Sequence, residues 1–579
     1  MESRGYPNAG DPVDDESLPV TQAETLRGRS CFMKSLDVAL EHGTCEGEAW
    51  YVSTMQLQLA SRSVCDLVRS AIGVHLSVVN RTPWRVWTAA VADRDGPVAL
   101  RRVARLRVRR VTWARDGLRE GRISWPRSLG SPALGGFFDD HIEGFSLPVS
   151  LLELTFGDRF NQPIEGLSLP ACLRELTFGD RFNQPIEGLS LPASLRQLTF
   201  GEDFNRPVEE LSLPASLKEL RFGKCFNELI EGLSLPAFLR KLTFGSNFDQ
   251  PIEDVIWPGG LRELKFGRDF DQSVERVAWP IFLKRLTLGA KFNQPIYGVS
   301  WPPSLRHLTF GCQFNQSLDR VMWPDSLQHL DLGDCFNRPM VAVVWPASLQ
   351  QLTLRGEFGH AFEGVTWPKA LERLTLGGGY NQPIGGAVWP DFLQRVTFGD
   401  FFNQSVERVV WPATLRQLKF GASFNRKIEG VKWPAALEEL AFGRAFNKAV
   451  ERVRWPESLR QLAFGDSFSQ PIEKVAWPTG LRKLSFGRGF DEPIEGVVWP
   501  ASLQELTFGH KLRQPMGRVR WPDSLRLLAF GRDCYRPIDD VTLSSVICDV
   551  VMSDDVAWPS GLRRITFGSA IKMPIRRFP

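Results

Sequence analysis

A 22-residue period dominates this chain and constrains its fold more than any other feature. We count each unit from its opening proline, position 1, which recurs without slippage from Pro126 to Pro522 and gives nineteen units. A twentieth unit opens at Pro559, after an insertion near residues 543–557. Position 4 is leucine in all twenty units, and position 10 is glycine in all but one, where Arg355 takes its place. Repeats in such strict register predict stacked equivalent units, in place of the several globular domains expected for an ordinary chain of this length.

The pattern inside one unit indicates a single short strand. Leu198 and Phe200 alternate with the polar Thr199, which is the period-2 signature of a strand. The rest of the unit holds proline, glycine and asparagine, which leave no room for a useful helix. One strand and its turns cannot bury their own apolar side, so the strands must stack in parallel, about 4.8 Å apart. The sequence therefore predicts a mainly β protein, a parallel β-solenoid of about twenty 22-residue turns with a small helical N-terminal region.

Two further positions of the unit have local explanations. Glycine at position 10 ends the strand, where the backbone needs either a positive φ or a close approach of another segment. Position 14 is asparagine in eleven units and aspartate in four more. Asn and Asp side chains bond backbone groups in turns, and we expect a stacked amide ladder here.

The unit Leu-Pro-x-x-Leu-x-x-Leu-x-Phe-Gly-x-x-Phe-Asn-x-Pro-Ile resembles the FNIP repeat, a relative of the leucine-rich repeat. The resemblance extends over residues 126–579 and is cleanest at residues 160–164 and 182–186. It implies a leucine-rich-repeat-like solenoid that makes protein–protein contacts, and it carries no catalytic residues to transfer.

Neighbouring units are near-copies, which argues against an active site. A catalytic centre needs a unique constellation of side chains, so we expect a non-enzymatic scaffold without catalytic residues, cofactor or metal. In a leucine-rich-repeat-like strand, positions 6 and 8 face the concave side; position 6 varies, and recognition would be encoded there. The candidate partner-binding residues are Arg285, His307, His329, Asp331, Gln351 and Arg373. The spacing of His307, His329 and Asp331 could admit a metal, but no closed three-ligand site is evident; a polar binding face or plain surface are the other interpretations.

Bulk composition predicts an intracellular protein. The net charge is +4 from 70 basic and 66 acidic residues, which creates no global field for nucleic acid or membrane. The nine cysteines are odd in number and lack paired spacing, as in a reduced chain. The N-terminus is not a signal peptide, and no apolar run is long enough for a membrane helix. We expect a cytoplasmic protein with an unidentified protein partner, and the basic segment 101–111 leaves nuclear import as an alternative.

The N-terminal region differs from the repeats. Residues 1–30 have a disordered composition, and residues 31–95 show helical spacing and are predicted to cap the solenoid. Within them, Leu57–Arg69 faintly resembles the second half of an F-box, without that motif's opening segment. Residues 96–125 are predicted to form a basic, degenerate first turn. Two functions stay open: an interaction scaffold that binds through its strand face, or the substrate receptor of a ubiquitin ligase that docks an adaptor through residues 31–95.

Overall fold

A computed structural model describes residues 149–514 and 518–531 continuously, together with the shorter segments 74–78, 108–113, 132–133, 139, 141–142, 147, 559, 561–567 and 571–574. These residues form a 23-stranded sheet and contain no helix. The strands, in chain order, are β1 Val74–Val78, β2 Val108–Trp113, β3 Pro132–Ala133, β4 Glu153–Thr155, β5 Glu175–Thr177, β6 Gln197–Thr199, β7 Glu219–Arg221, β8 Lys241–Thr243, β9 Glu263–Lys265, β10 Arg285–Thr287, β11 His307–Thr309, β12 His329–Asp331, β13 Gln351–Leu354, β14 Arg373–Leu376, β15 Arg395–Thr397, β16 Gln417–Lys419, β17 Glu439–Ala441, β18 Gln461–Ala463, β19 Lys483–Ser485, β20 Glu505–Thr507, β21 Leu527–Phe530, β22 Arg564–Phe567 and β23 Ile571–Pro574.

Each strand pairs with the next strand along the chain, and the repeat sets the register. From β4 to β21 the partners are 22 residues apart, as in His307 with His329, and every pairing is parallel. At the end of the sheet, β23 folds back antiparallel onto β22. The prediction of a parallel β-solenoid with one strand per turn is confirmed.

The core is a continuous column of apolar side chains on the inner side of the turns. Positions 4, 7, 9, 13, 17 and 20 are buried turn after turn, while no polar or charged residue is buried in the described part of the chain. We number the turns by unit, with turn 1 opening at Pro126 and turn 9 at Pro302. In turn 9 the buried residues at these positions are Leu305, Leu308, Phe310, Phe314, Leu318 and Val321. The phenylalanines at position 13 stack with ring centroids about 6.1 Å apart, as in Phe314 and Phe336. Each buried Phe or Leu contributes about 1.5–3 kcal/mol before conformational entropy is subtracted.

The spacing between turns increases away from the sheet. Hydrogen-bonded strands lie about 4.8 Å apart, whereas the rings at position 9 are 5.4 Å apart in Phe156 and Phe178. At position 22, which directly precedes the opening proline, the Trp301 and Trp323 rings are 6.4 Å apart. Because equivalent atoms are closest on the strand side, the turns fan out behind the sheet. The outward face of the strands therefore lies on the inner, concave side of the curve.

Position 14 forms the expected ladder between turns. The Asn183 side-chain oxygen accepts the backbone N–H of Asn205 at 3.0 Å, and Asn205 accepts that of Asn227 at 2.8 Å. Aspartate serves equally well, since Asp249 accepts the N–H of Asp271 at 2.8 Å. The side chain at position 14 thus replaces the backbone acceptor that the turn lacks.

Glycine at position 10 is required by close approach. A Cβ on Gly267 would lie 1.6 Å from the carbonyl oxygen of Gly245, and the same clash recurs in the neighbouring turns. Of the two explanations that the sequence left open, the contact between turns therefore applies at most units. Positive φ is confined to a few positions, such as Gly333 at 76°.

The N-terminal and C-terminal predictions lie mostly outside the described residues. Residues 1–30, the insertion near 543–557 and most of the predicted helical cap at 31–95 fall there. Within the cap, however, Val74–Val78 form strand β1 and not a helix; their apolar and polar residues alternate, and backbone pairing with β2 completes a strand. In the basic segment 96–125, Val108–Trp113 form β2, which pairs in parallel with β1 and β3.

Candidate functional site

Positions 6 and 8 point outward from the strands onto the concave side and form the strand face of the solenoid. In each three-residue strand the middle residue is buried, while its two neighbours are half-buried or exposed, as at His307 and Thr309 on either side of Leu308. This alternation follows from the pleat. The strand face therefore holds side chains that the core does not need.

The structure brings the sequence-predicted candidates together on turns 8–12. Arg285, His307, His329, Gln351 and Arg373 occupy position 6 of five consecutive strands and are cross-strand neighbours in that order. The sixth candidate, Asp331, lies two residues from His329 on the same strand and the same face. Because neighbouring members lie on adjacent strands, these side chains form a continuous polar column.

The two histidines stack on each other. Their ring centroids are 4.3 Å apart with an interplanar angle of 10°. Burial of the His307 ring, followed by the proximity of His329 and Arg285, lowers the pKa of His307 below its ordinary value. His307 Nδ1 is buried and has no hydrogen-bond partner among the described residues. A neutral imidazole is therefore favoured at His307.

On the side away from His307, the His329 ring is hydrogen-bonded to Gln351, which in turn is hydrogen-bonded to Arg373. In the amide orientation that satisfies both neighbours, the Gln351 nitrogen donates to His329 Nδ1 at 2.5 Å, and its oxygen accepts from Arg373 at 2.7 Å. In this orientation Nδ1 acts as the acceptor of the bond. The side chains of His329, Gln351 and Arg373, at position 6 of three consecutive turns, are therefore already oriented without a partner.

Asp331 forms an ion pair with a residue that sequence reasoning did not include in the site. Arg355 Nε lies 2.9 Å from one carboxylate oxygen and 3.0 Å from the other, and its terminal nitrogen lies 2.7 Å from the carboxylate. A signal existed in the sequence: Arg355 is the single non-glycine at position 10, one turn after the single acidic residue at position 8.

A metal does not fit this arrangement. Within the part of the chain that the structure describes, no group of three or more His, Cys, Asp or Glu side chains is placed to hold an ion. Asp331 is paired with Arg355 and His329 with Gln351, so two of the three side chains suggested by the sequence spacing are already engaged. The chemistry of this face is that of hydrogen bonding, ring stacking and charge.

No described helix is long and apolar enough to cross a membrane.

Comparison with known proteins assigns the family. The FNIP repeat model matches residues 138–181, 182–225, 226–269, 270–313, 314–356, 380–423, 446–489 and 468–511. Among solved structures, CroV588, described as a novel circular LRR protein, is 37% identical over 80% of this chain and 69% of its own, with a TM-score of 0.67. A chain of the Drosophila Toll–Spatzle complex is 11% identical over 79% of this chain and 63% of its own, with a TM-score of 0.48. No curated protein matches. With the repeat model covering more than half of its length and a solved relative sharing its solenoid, this chain belongs to the FNIP repeat proteins.

Proposed function

We propose that this protein is a non-enzymatic interaction scaffold that binds a protein partner through the strand face. The observation that carries the proposal is the polar column on turns 8–12, where side chains that the core does not use are nevertheless linked to one another across neighbouring strands. Side chains ordered in advance lose less conformational entropy when a partner binds, which raises affinity.

The composition of the column also favours protein recognition. It combines an arginine at each end with imidazoles and an amide between them, and arginine is enriched among the residues that dominate binding energy. His307, His329 and Gln351 are half-buried. A partner that covers them would remove the remaining water from their hydrogen bonds and so strengthen these bonds.

The test compares two purified full-length variants with the parent chain in affinity capture. One carries alanine at Arg285, His307, His329 and Gln351; the control carries alanine at Glu407 and Glu429, which lie on the exposed flank at position 18. We expect both variants to keep the dichroism spectrum of the parent. The strand-face variant should lose the partners of the parent chain, and the flank variant should keep them. Loss of partners from the flank variant alone would assign binding to the flank at position 18.

The ubiquitin-ligase alternative stays a prediction and has its own test. A chain lacking residues 1–95 should lose an adaptor if that region docks one, and should keep strand-face partners in either case.

A further inference from the structure

Turns 6–8 depart from the repeat at position 3. Elsewhere this position is commonly serine, whose hydroxyl donates to a carbonyl of the preceding turn, as Ser216 does to Leu195 at 2.6 Å. In these three turns the residue is Phe238, Gly260 and Phe282. The two phenylalanines are 70% and 56% exposed and contact no other aromatic ring of the described chain. Phe238 and Phe282 thus exchange an internal hydrogen bond for exposed aromatic surface that the core does not use.

Glycine leaves the space between the two rings open. Gly260, at position 3 of the intervening turn, is required by close approach, because a Cβ there would clash with the carbonyl oxygen of Ala237. Gly259, at position 2, would meet nothing within 4 Å if it carried a Cβ, so neither residue places a side chain between the rings. Phe238 and Phe282 occupy equivalent positions two turns apart, about 10 Å at the spacing of paired strands. Since apolar contacts form at about 4–4.5 Å, this gap accommodates one apolar side chain against both rings.

Unpaired cations lie beside the gap. Arg240, Arg262 and Lys284 follow at position 5 of the same three turns and are exposed. They belong to a run of basic residues that occupies position 5 of seven consecutive turns, namely Arg174, Arg196, Lys218, Arg240, Arg262, Lys284 and Arg306. In the described region, the ion pairs join none of these seven to a carboxylate; nearby Glu219 and Glu263 both lie against Lys241, at 3.9 and 3.4 Å.

A shallow groove runs from this place along the start of the strands. It is lined by position 5 and position 6 side chains of four turns: Arg174, Glu175, Arg196, Gln197, Lys218, Glu219, Arg240 and Lys241. Its direction is along the solenoid, across successive strands, so it suits an extended ligand.

We propose that Phe238, Arg240, Gly259, Arg262, Phe282 and Lys284, the edge patch, bind an extended acidic peptide segment that inserts one apolar or aromatic side chain between the two phenylalanines. The cations pair with its carboxylates, and the rings hold its anchor. Glu219 and Glu263 beside the column favour a peptide over a nucleic acid, because a peptide can place uncharged residues opposite them and a continuous phosphate backbone cannot. The edge patch lies at positions 2, 3 and 5, before the strand face in each turn, and shares no residue with the polar column on turns 8–12, so it goes beyond the proposed function.

The probe is a short fluorescein-labelled peptide of glutamates with one central tryptophan, titrated by anisotropy with the purified full-length protein. We expect binding that weakens with added salt. Replacing the tryptophan by glycine, or the glutamates by lysines, should abolish it. A labelled oligothymidylate of similar length should bind more weakly; tighter binding of that oligonucleotide would overturn the proposal in favour of nucleic acid.

Matched variants locate the site. Phe238→Ala with Phe282→Ala, and separately Arg262→Glu with Lys284→Glu, should each weaken binding at least tenfold, which corresponds to about 1.4 kcal/mol. The controls are Phe392→Ala, at the same position and 62% exposed but beside the uncharged Gln394, and Arg482→Glu, at position 5 of a distant turn. Both should bind like the parent, as should the strand-face alanine variant. No binding by the parent, or equal loss in edge-patch and control variants, would overturn the inference without touching the strand-face proposal.

Discussion

Asp331 and Arg355 form a bidentate ion pair across neighbouring turns. Each of the two residues differs from the residue usual at its position of the repeat. Asp331 stands where threonine is usual on the strand face, and Arg355 stands where every other unit has glycine. In this turn the glycine follows one residue later, as Gly356, with φ at 61°. The shifted backbone frees position 10 for a side chain that reaches the carboxylate, with a shortest contact of 2.7 Å. The displaced glycine and the acidic residue therefore belong together, because the backbone shift at Gly356 brings Arg355 to Asp331.

We predict a measurable coupling between these two residues. Arg355→Ala and Asp331→Thr should each lower the free energy of unfolding, and a double-mutant cycle should give a coupling of about 0.5–1 kcal/mol. The value is modest because the Arg355 side chain is 57% exposed and solvent screens the pair. Urea unfolding at low and high salt measures it. Strictly additive effects of the two substitutions would contradict the pairing.

We predict that acidification weakens the turns around His307. Its pKa in the folded protein lies below its ordinary value, chiefly because the ring is buried, so the unfolded chain binds more protons in this range. The stabilising contribution is complete above the ordinary pKa of about 6.5 and is lost as the pH falls through the lowered value. Hydrogen-exchange protection in turns 8–10, measured relative to the intrinsic exchange rate at each pH, should fall on acidification. His307→Gln, a residue common at position 6, should remove part of this dependence, whereas His141→Gln at an exposed position should not.

We predict a local response to loss of one core phenylalanine. Phe314 is fully buried and stacks on Phe310 at 4.0 Å and Phe336 at 6.1 Å. Phe314→Ala should cost about 3–5 kcal/mol through the cavity it leaves. Because each turn contacts mainly its neighbours, exchange should increase most within a few turns of the substitution. A uniform increase over all turns would contradict nearest-neighbour stability.

We predict that the ladder at position 14 requires an oxygen acceptor and not an amide. Asn205→Ala would leave the backbone N–H of Asn227 without its partner at 2.8 Å and should cost about 1–3 kcal/mol. Asn205→Asp should be nearly neutral, since Asp271 accepts the N–H of Asn293 at 2.7 Å in the same place. Chemical denaturation of the two variants side by side distinguishes them. Equal destabilisation by both would show that the amide nitrogen matters.

Most of the fold could be predicted from the sequence, because a strict period leaves few solutions. Each unit has room for a single strand, because it contains one alternating apolar stretch and its other residues include proline, glycine and asparagine. Equivalent units can then bury their apolar sides only by stacking. That argument predicted the parallel register, and the turn chemistry of asparagine and aspartate predicted the ladder at position 14. The candidates at positions 6 and 8 came from the resemblance to the leucine-rich repeat, whose strands turn these positions toward the concave side.

Only the tertiary structure decided which side chains meet across turns. The role of glycine at position 10 depended on how near the preceding turn's carbonyl lies, 1.6 Å from the Cβ that Gly267 lacks. The pairing of Asp331 with Arg355 likewise joins residues 24 positions apart. A repeat pattern states what is alike in every turn, whereas these contacts arise where single turns differ. Their geometry is set by side-chain direction and backbone shifts between neighbouring turns, which the linear order of residues does not contain.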